Sequence, residues 1–264
     1  MPGQTNELVL IGGGNMGSAL LGGLVAGGWD PKGIVVVELD AAKRADLESR
    51  FGVRTGTEIV AGNGAVIAVK PGDAVAVCAQ VAALGTPRAL SIAAGISAST
   101  LQAAAGTGCS VVRAMPNTPA LVREGATAIT GSPSCSDADL DWAERVLSAV
   151  GLVVRVPESQ MDAVTAVAGS GPGYLFLFAE ALLAAAIEQG LPTDVADTLV
   201  RQLFKGAGAL LSSSDESPAV LRERVTSPNG TTFAGLSVLE NEGLRATVHK
   251  AVQAAAERSA EMGK

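Results

Sequence analysis

The first half of the chain alternates short apolar runs with helical patterns, and this alternation is the feature that most limits its fold. Strand patterns occur six times, at Glu7–Ile11, Gly33–Leu39, Ala65–Val69, Ala89–Ala93, Val111–Ala114 and Ala126–Thr130. Helical patterns follow the first two strands, at Asn15–Ala26 and Ala41–Phe51. Strands that alternate with helices form right-handed βαβ units around a parallel sheet. The pattern therefore predicts an α/β domain with a parallel sheet.

The second half is predicted to be entirely helical, because strand signals end at about residue 158. Helices are predicted over Pro172–Gln189, over Asp194–Leu211 with Thr193 as its cap, from Ser217-Pro218 onward, and from about Thr231 to Met262. Apolar residues occupy more than one face of these helices, which is typical when a partner subunit covers the second side. We therefore predict two domains, an α/β domain over residues 1–158 and an all-α dimerisation domain over 159–264.

Composition argues against several classes of protein. Hydrophobic residues make up 48% of the 264 residues and charged residues 17%, which excludes a disordered chain. The net charge of −7 opposes broad contact with nucleic acid or an anionic membrane, since both partners require basic patches. The most apolar window, Tyr174–Ile187, is shorter than the ~20 residues that a membrane span needs and contains Glu180. A buried helix is predicted there.

The cysteines and the N-terminus predict a cytoplasmic protein without a metal site. Cys78, Cys109 and Cys135 are odd in number, far apart, and lack the spacing of a metal site or redox pair. We interpret them as reduced thiols. The first residues contain no basic segment followed by an apolar one, so no signal peptide is predicted.

A glycine motif, Gly12-Gly13-Gly14-Asn15-Met16-Gly17, connects the first strand to the first helix. In a G-x-G-x-x-G motif the first glycine permits a tight turn, the second lets the backbone approach a pyrophosphate, and the third lets the helix pack on the strand. The helix N-terminus then faces the phosphate charge. Placed between a strand and a helix, the motif predicts a Rossmann-type dinucleotide site.

The choice between the two nicotinamide cofactors is expected to depend on the end of the second strand. Glu38 lies there, and a carboxylate at this place accepts hydrogen bonds from the ribose hydroxyls of NADH and repels a 2′-phosphate. Lys43 and Arg44 follow and could instead meet a phosphate. We favour NADH over NADPH.

Few residues are available for acid–base chemistry, since the chain has one histidine, His249, and one tyrosine, Tyr174. An imine can arrive already protonated, so its reduction depends on orientation more than on a general acid. The stretch "TSPNGTTFAGL" (Thr226–Leu236) combines a predicted cap at Ser227-Pro228, a turn at Asn229-Gly230 and a new helix from Thr231. Free N–H groups at that helix start suit a substrate carboxylate. The alternative is an ordinary turn between helices.

At this point the chain resembles a known family. "LRERVTSPNGTTFAGLSVLE" resembles the C-terminal signature of pyrroline-5-carboxylate reductases, and the similarity extends over "IGGGNMG", "AVKP", "AAG", "RAMPNTPALVREGAT" and "DAVTAVAGSGPGY". The resemblance implies reduction of Δ1-pyrroline-5-carboxylate to L-proline with NAD(P)H, the last step of proline biosynthesis and a reaction at a CH–NH group. It also implies homodimers, often assembled into decamers. Asn229 departs from the family's commoner glycine.

The resemblance also implies roles for individual residues. The cofactor would be bound by Ile11, Gly12, Gly14, Asn15 and Met16 at the pyrophosphate, and by Ala68, Val69, Lys70, Pro71, Ala94 and Gly95 at the nicotinamide half. Glu38 is assigned to the ribose from its place at the strand end alone, because relatives that use NADPH often have a small hydroxyl or a basic residue there. The substrate would be bound by Glu158, Ser227, Gly230, Thr231 and Thr232, with the Thr232 hydroxyl acting near the ring nitrogen.

Two other classes of protein share this layout. β-Hydroxyacid dehydrogenases use a lysine on the long interdomain helix, and residues 151–204 contain none. A non-catalytic dinucleotide-binding module remains the other alternative.

Overall fold

The computed structural model describes residues 6–263, and eight strands in this part of the chain form one sheet. The strands are β1 Leu8–Ile11, β2 Ile34–Val37, β3 Arg54–Gly56, β4 Ala65–Ile67, β5 Arg88–Ser91, β6 Ser110–Met115, β7 Gly125–Gly131 and β8 Gly151–Arg155. Their order is β3-β2-β1-β4-β5-β6-β7-β8. The order reverses between β1 and β4, which is where open α/β sheets bind their ligands.

All six predicted strands are present, and their ends lie within two residues of the predicted ends. The edge strands β3 and β8 were missed: β3 has only three residues and no apolar run, and β8 has a short apolar run, Leu152–Val154, whose residues are exposed or only partly buried. One pair also departs from the predicted parallel sheet, since β6 and β7 are antiparallel. Only a short 3-10 helix, Thr118–Val122, separates these two strands, and a parallel pair needs a longer crossover connection.

The sheet has a hydrophobic core on each face. Alternate residues of a strand point to opposite faces, so Leu8 and Leu10 belong to one core while Val9 and Ile11 belong to the other. The helices around the sheet are α1 Asn15–Ala26, α2 Ala41–Phe51, α3 Pro71–Ala83, α4 Ala98–Ala105 and α5 Asp137–Leu147. Burial on both faces of β1, β2 and β4 holds their carboxyl ends in place.

The chain separates into two compact units. Within the described residues, the first comprises 6–170 together with 255–263, and the second comprises 171–254. The first unit therefore includes the short helix α6, Met161–Val164, and the end of the last helix. The predicted functional division after residue 158 stays a prediction.

The second unit is helical, as the sequence predicts. Its helices are α7 Gly171–Glu188, α8 Thr193–Ser213, α9 Pro218–Arg224 and α10 Thr231–Asn241, followed by α11 Leu244–Met262, which ends in the first unit. The predicted cap at Thr193 was wrong, since Pro192 occupies the cap position and Thr193 is the first helical residue. The predicted single helix from Thr231 to Met262 was also wrong. It is interrupted at Gly243, whose φ of +77° suits a residue that ends a helix.

The helix α7 differs most from its prediction as a buried helix. None of the residues of α7 is buried. The side chains of Leu175, Phe176, Leu177 and Phe178 are exposed. The wider helical stretch Glu158–Glu188 is long and apolar enough to cross a membrane by length and composition alone, and its 18-residue apolar window is 0% buried. Within the described chain α8 covers part of α7, with the ring centroids of Phe178 and Phe204 6.3 Å apart, and the remaining apolar side chains of α7 are exposed.

Candidate active site

The glycine motif forms a tight connection between β1 and α1. Gly12 has a φ of +106°, and its N–H donates to the carbonyl oxygen of Val37 at 2.8 Å. A Cβ atom at Gly12 would clash with the carbonyl oxygen of Ala68, and one at Gly17 would clash with the carbonyl oxygen of Gly12. The backbone conformation and the close approach of the two segments therefore both require glycine at position 12.

The start of α1 is open to an anionic ligand. Its cap residue is Gly14, which provides no side-chain hydrogen bond, and a Cβ atom at Gly14 would meet nothing within 4 Å. The first N–H groups of a helix have no partner within the helix. The helix start therefore has open space beside Gly14 and unpaired N–H groups at the positive end of the helix dipole, which fits the pyrophosphate of a dinucleotide.

A cavity of about 1050 Å³ lies at this edge of the sheet. Seven of the predicted cofactor residues line it: Ile11, Gly12, Gly14, Glu38, Ala68, Val69 and Lys70. Asn15, Met16 and Pro71 begin the neighbouring helices α1 and α3, while Ala94 and Gly95 follow β5; none of these five lines the cavity. The structure thus brings both ends of the predicted cofactor site to one edge of the sheet, with its apolar wall on α3.

The Glu38 carboxylate is fixed by the backbone around it. Its Oε2 accepts from the N–H of Gly13 at 2.9 Å, and its Oε1 accepts from the N–H of Asp40 at 3.0 Å. Burial alone would raise the pKa of the Glu38 carboxyl, but the hydrogen bonds from Asp40 and Gly13 outweigh burial and hold the pKa below its ordinary value. The carboxylate is therefore ionised at neutral pH, and its remaining lone pairs can accept from a ligand.

Two cations lie beside Glu38. The Arg44 guanidinium donates from Nη1 to the carbonyl oxygens of Glu38 and Leu39, both at 2.8 Å. Lys43 lines the cavity. The region around the end of β2 therefore carries charges of both signs.

Glu158 forms an ion pair that the sequence analysis did not identify. Nη1 of Arg113, on β6, lies 2.5 Å from Oε1 of Glu158, and the Arg113 side chain is only 7% exposed. Oε2 of Glu158 is buried and has no hydrogen-bond partner. The sequence feature that could have predicted this ion pair is the arginine inside the apolar run "VVRAM", because a buried arginine requires a charged partner.

The connection between α9 and α10 is a tight turn. The N–H of Gly230 donates to the carbonyl oxygen of Ser227 at 3.0 Å, so the predicted helix cap at Ser227 was wrong. Asn229 has a φ of +59°. Proline in the second position and a positive φ in the third are the features of a type II turn. Asparagine tolerates this conformation better than other non-glycine residues, which explains its presence where the family commonly has glycine.

The helix α10 begins directly after this turn. Its cap is Gly230, which makes no side-chain hydrogen bond, and Thr231 and Thr232 are its first two residues, both exposed. A Cβ atom at Gly230 would clash with Oγ of Ser227. The free N–H groups and two hydroxyl groups are thus concentrated at one helix start, as the sequence predicts.

Two polar atoms of the second unit are buried without a hydrogen-bond partner: the Tyr174 hydroxyl and Oε2 of Glu216. The other carboxylate oxygen of Glu216 accepts from Arg224. Buried polar groups are rarely left unpaired unless a ligand or water serves them. Glu216 was not singled out from the sequence, since it lies in a polar loop pattern that is typical of solvent-exposed residues. Among the described residues, no group of three metal-ligating side chains could hold a metal ion.

Comparison with known proteins accounts for this arrangement. A family model described as pyrroline-5-carboxylate reductase dimerisation matches residues 158–262, and one described as NADP oxidoreductase, coenzyme F420-dependent, matches residues 7–95. A pyrroline-5-carboxylate reductase of Pseudomonas aeruginosa is 42% identical over 266 residues, which cover 98% of this chain and 97% of that protein.

Solved structures agree. A pyrroline-5-carboxylate reductase from Coxiella burnetii superposes with a TM-score of 0.93 at 35% identity, covering 98% of this chain and 99% of that one. A pyrroline carboxylate reductase from Plasmodium falciparum with NADP bound has a TM-score of 0.83 at 28% identity, covering 99% of both chains. The chain described here belongs to the pyrroline-5-carboxylate reductase family.

Proposed function

We propose that this protein reduces Δ1-pyrroline-5-carboxylate to L-proline with NAD(P)H, and so acts as an oxidoreductase on a CH–NH group. The observation that carries the proposal is the match to a pyrroline-5-carboxylate reductase over 98% of the chain. The open start of α1 and the cavity beside it supply the chemistry for a dinucleotide.

The cofactor is proposed to lie along the edge formed by β1, β2, β4 and β5. Ile11, Gly12, Gly14, Asn15 and Met16 would hold the pyrophosphate, and Ala68–Pro71 with Ala94 and Gly95 would contact the nicotinamide half. A bound reduced nicotinamide supplies the hydride for the imine carbon. The backbone N–H groups at the start of α1 bind and orient the phosphates, and the apolar wall on α3 excludes water from the adenosine end.

The substrate is proposed to bind at the start of α10. The N–H groups that follow Gly230 would hold the substrate carboxylate, and the Thr231 and Thr232 hydroxyls would supply hydrogen bonds. Thr232 is proposed as the catalytic residue, with its hydroxyl at the ring nitrogen. Ser227 fixes the position of Gly230 through the turn hydrogen bond, and Glu158 is proposed as a further substrate-binding residue.

This assignment of roles explains why the chain has so few acid–base residues. A protonated imine needs no strong general acid, so a neutral hydroxyl and a fixed carboxylate are sufficient to orient it. The one histidine, His249, lies exposed on α11 and has no part in the proposed mechanism.

NADH is proposed as the preferred cofactor. The Glu38 carboxylate is ionised and fixed at the end of β2, where it would accept from the ribose hydroxyls and repel a 2′-phosphate. Lys43 and Arg44 reduce this repulsion, so we expect NADPH to be used as well, with a lower kcat/KM.

The self-association that accompanies the dimerisation domain is proposed to proceed to a decamer built from dimers. The exposed apolar residues of α7 supply a surface that a partner subunit would cover. The cytoplasm is proposed as the site of action, because Cys78, Cys109 and Cys135 are all free thiols.

A steady-state comparison of NADH and NADPH oxidation with pyrroline-5-carboxylate tests the proposal. We expect turnover with both cofactors and a higher kcat/KM with NADH. Lack of turnover with either cofactor would exclude the proposed activity. Turnover with a clear preference for NADPH would retain the activity and exclude the proposed role of Glu38.

A further inference from the structure

We infer that Asp162 and Ser259 are positioning residues for the nicotinamide end of the cofactor site. Within the first unit they join the C-terminal end of α11 to α6, and that end packs against the loop after β5. This inference rests on the proposed function in one respect, namely that Ala94 and Gly95 contact the nicotinamide.

A hydrogen bond between side chains joins the end of α11 to α6. Oγ of Ser259 donates to Oδ1 of Asp162 at 2.7 Å, across 97 positions of the sequence. Ser259 is 7% exposed and is the one buried residue of α11 among those described. Because the acceptor is a carboxylate, the bond is stronger than one between neutral groups. It therefore holds the end of a helix whose other residues bury little surface.

The last residues of α11 meet Gly95. A Cβ atom at Gly95 would lie 3.5 Å from Cβ of Met262 and 3.6 Å from the Met262 carbonyl oxygen. A Cβ atom at Gly263 would lie 3.2 Å from the carbonyl oxygen of Gly95. The two backbones thus approach each other through two glycines, and the end of α11 forms one wall of the loop.

Apart from the end of α11, the loop is held at its two ends, where Ala93 and Ala98 are buried and Ile96 packs against the core. Gly95 has a φ of +76°, a conformation that glycine adopts freely, so the loop has no intrinsic preference for this one shape. At the end of the loop, the N–H of Ala98 donates a long hydrogen bond of 3.4 Å to Oε1 of Glu158. Glu158 lies four residues before Asp162 in the sequence. Glu158 therefore contacts the loop directly, whereas Asp162 acts on Gly95 through Ser259 and the end of α11.

Loss of the bond between Asp162 and Ser259 should release the end of α11 and with it the Gly95 loop. The phosphate-binding start of α1 lies on a different connection, after β1, and does not depend on α11. A ligand with a nicotinamide ring should therefore lose affinity, while a ligand that stops at the ribose should not. This difference separates a positioning role from general damage to the fold.

The test is calorimetric titration of full-length wild type and Ser259→Ala with two ligands. One is whichever of NADH and NADPH the protein prefers, and the other is the matching ADP-ribose or its 2′-phosphate, which lacks the ring. We expect Ser259→Ala to weaken binding of the nicotinamide cofactor about threefold to tenfold and to change ADP-ribose binding less than twofold. Asp162→Ala should behave in the same way, and Asp162→Asn, which keeps an acceptor oxygen, should stay close to wild type.

Thr247→Ala is the matched control, because it removes an exposed hydroxyl from the same helix that only donates to the Gly243 carbonyl oxygen. Equal weakening of both ligands, or unchanged binding of both, would overturn the inference. Wild-type protein that binds the nicotinamide cofactor no better than ADP-ribose would overturn it as well. Cofactor binding with the expected difference but without turnover of pyrroline-5-carboxylate would instead exclude the proposed function and leave the inference standing.

Discussion

The N–H of Gly13 donates to Oε2 of Glu38 at 2.9 Å, so the glycine loop and the end of β2 are directly joined. A Cβ atom at Gly13 would lie 3.2 Å from the same oxygen and 2.7 Å from a methyl carbon of Leu47. The Glu38 carboxylate, proposed to bind the ribose, therefore also accepts a hydrogen bond from the glycine loop, proposed to bind the pyrophosphate. A substitution at position 38 acts on both.

Glu38→Ser is expected to shift cofactor preference toward NADPH. Removal of the negative charge removes the repulsion of a 2′-phosphate and leaves Lys43 and Arg44 to attract it. The ratio of kcat/KM values for NADPH and NADH should rise on the order of tenfold, as measured by steady-state kinetics with each cofactor.

Glu38→Gln separates the two effects of that change. It removes the charge but keeps an oxygen that can accept from Gly13, so the preference should shift while NADH binding is better retained than in Glu38→Ser. An unchanged cofactor ratio in both variants would mean that Glu38 only supports the loop.

Thr232→Ala is expected to lower kcat/KM for pyrroline-5-carboxylate by roughly 10- to 100-fold, because it removes a hydrogen bond to a charged group. The melting temperature should be unchanged, since Thr232 is exposed. Thr232→Ser keeps the hydroxyl and should recover most of the activity. Wild-type kinetics in Thr232→Ala would exclude a catalytic role for this hydroxyl.

Asn229→Ala is expected to destabilise the protein by about 1 kcal/mol, because alanine tolerates the left-handed conformation poorly. Asn229→Gly should be neutral or slightly stabilising, since glycine has no Cβ atom to strain the turn. Urea unfolding of the two variants measures the difference. If the Asn229→Ala and Asn229→Gly variants had equal free energies of unfolding, the result would contradict the φ of +59° at Asn229.

Arg113→Met is expected to lower the free energy of unfolding by about 2–4 kcal/mol, because it leaves Glu158 without its partner. The Glu158 side chain is 39% exposed, which places the loss toward the lower value. The double variant Arg113→Met/Glu158→Gln should recover part of the loss, as measured by a double-mutant cycle in urea. Additive effects would show that the two side chains do not interact.

Phe176→Glu is expected to weaken self-association at least tenfold, because it places a charge on the exposed apolar surface of α7. Sedimentation velocity over a range of protein concentrations measures this. Ala103→Glu, an exposed position on α4 outside the dimerisation match, is the control and should associate like wild type. A Phe176→Glu protein with an unchanged association constant would exclude α7 from the interface.

The confirmed predictions concern features that are set by residues close together in the sequence. The helices Asn15–Ala26 and Ala41–Phe51 begin and end where they were predicted, because their boundaries are set by local glycine and capping residues. The helix predicted from Ser217-Pro218 onward is also confirmed, since Ser217 caps it and the Ser217 hydroxyl accepts from the N–H of Val220. The cap at Ser227 failed, because a turn hydrogen bond to Gly230 competes for the same few residues.

The sequence by itself determined the order of strands and helices, the glycine connection after β1 and the polar helix start at Thr231, since each depends on residues within one or two turns of each other. The tertiary structure decided the pairs that join distant segments: Gly13 with Glu38, Arg113 with Glu158, and Asp162 with Ser259. Such pairs depend on how the sheet and its helices pack as a whole, and no local pattern encodes which distant residue will meet which.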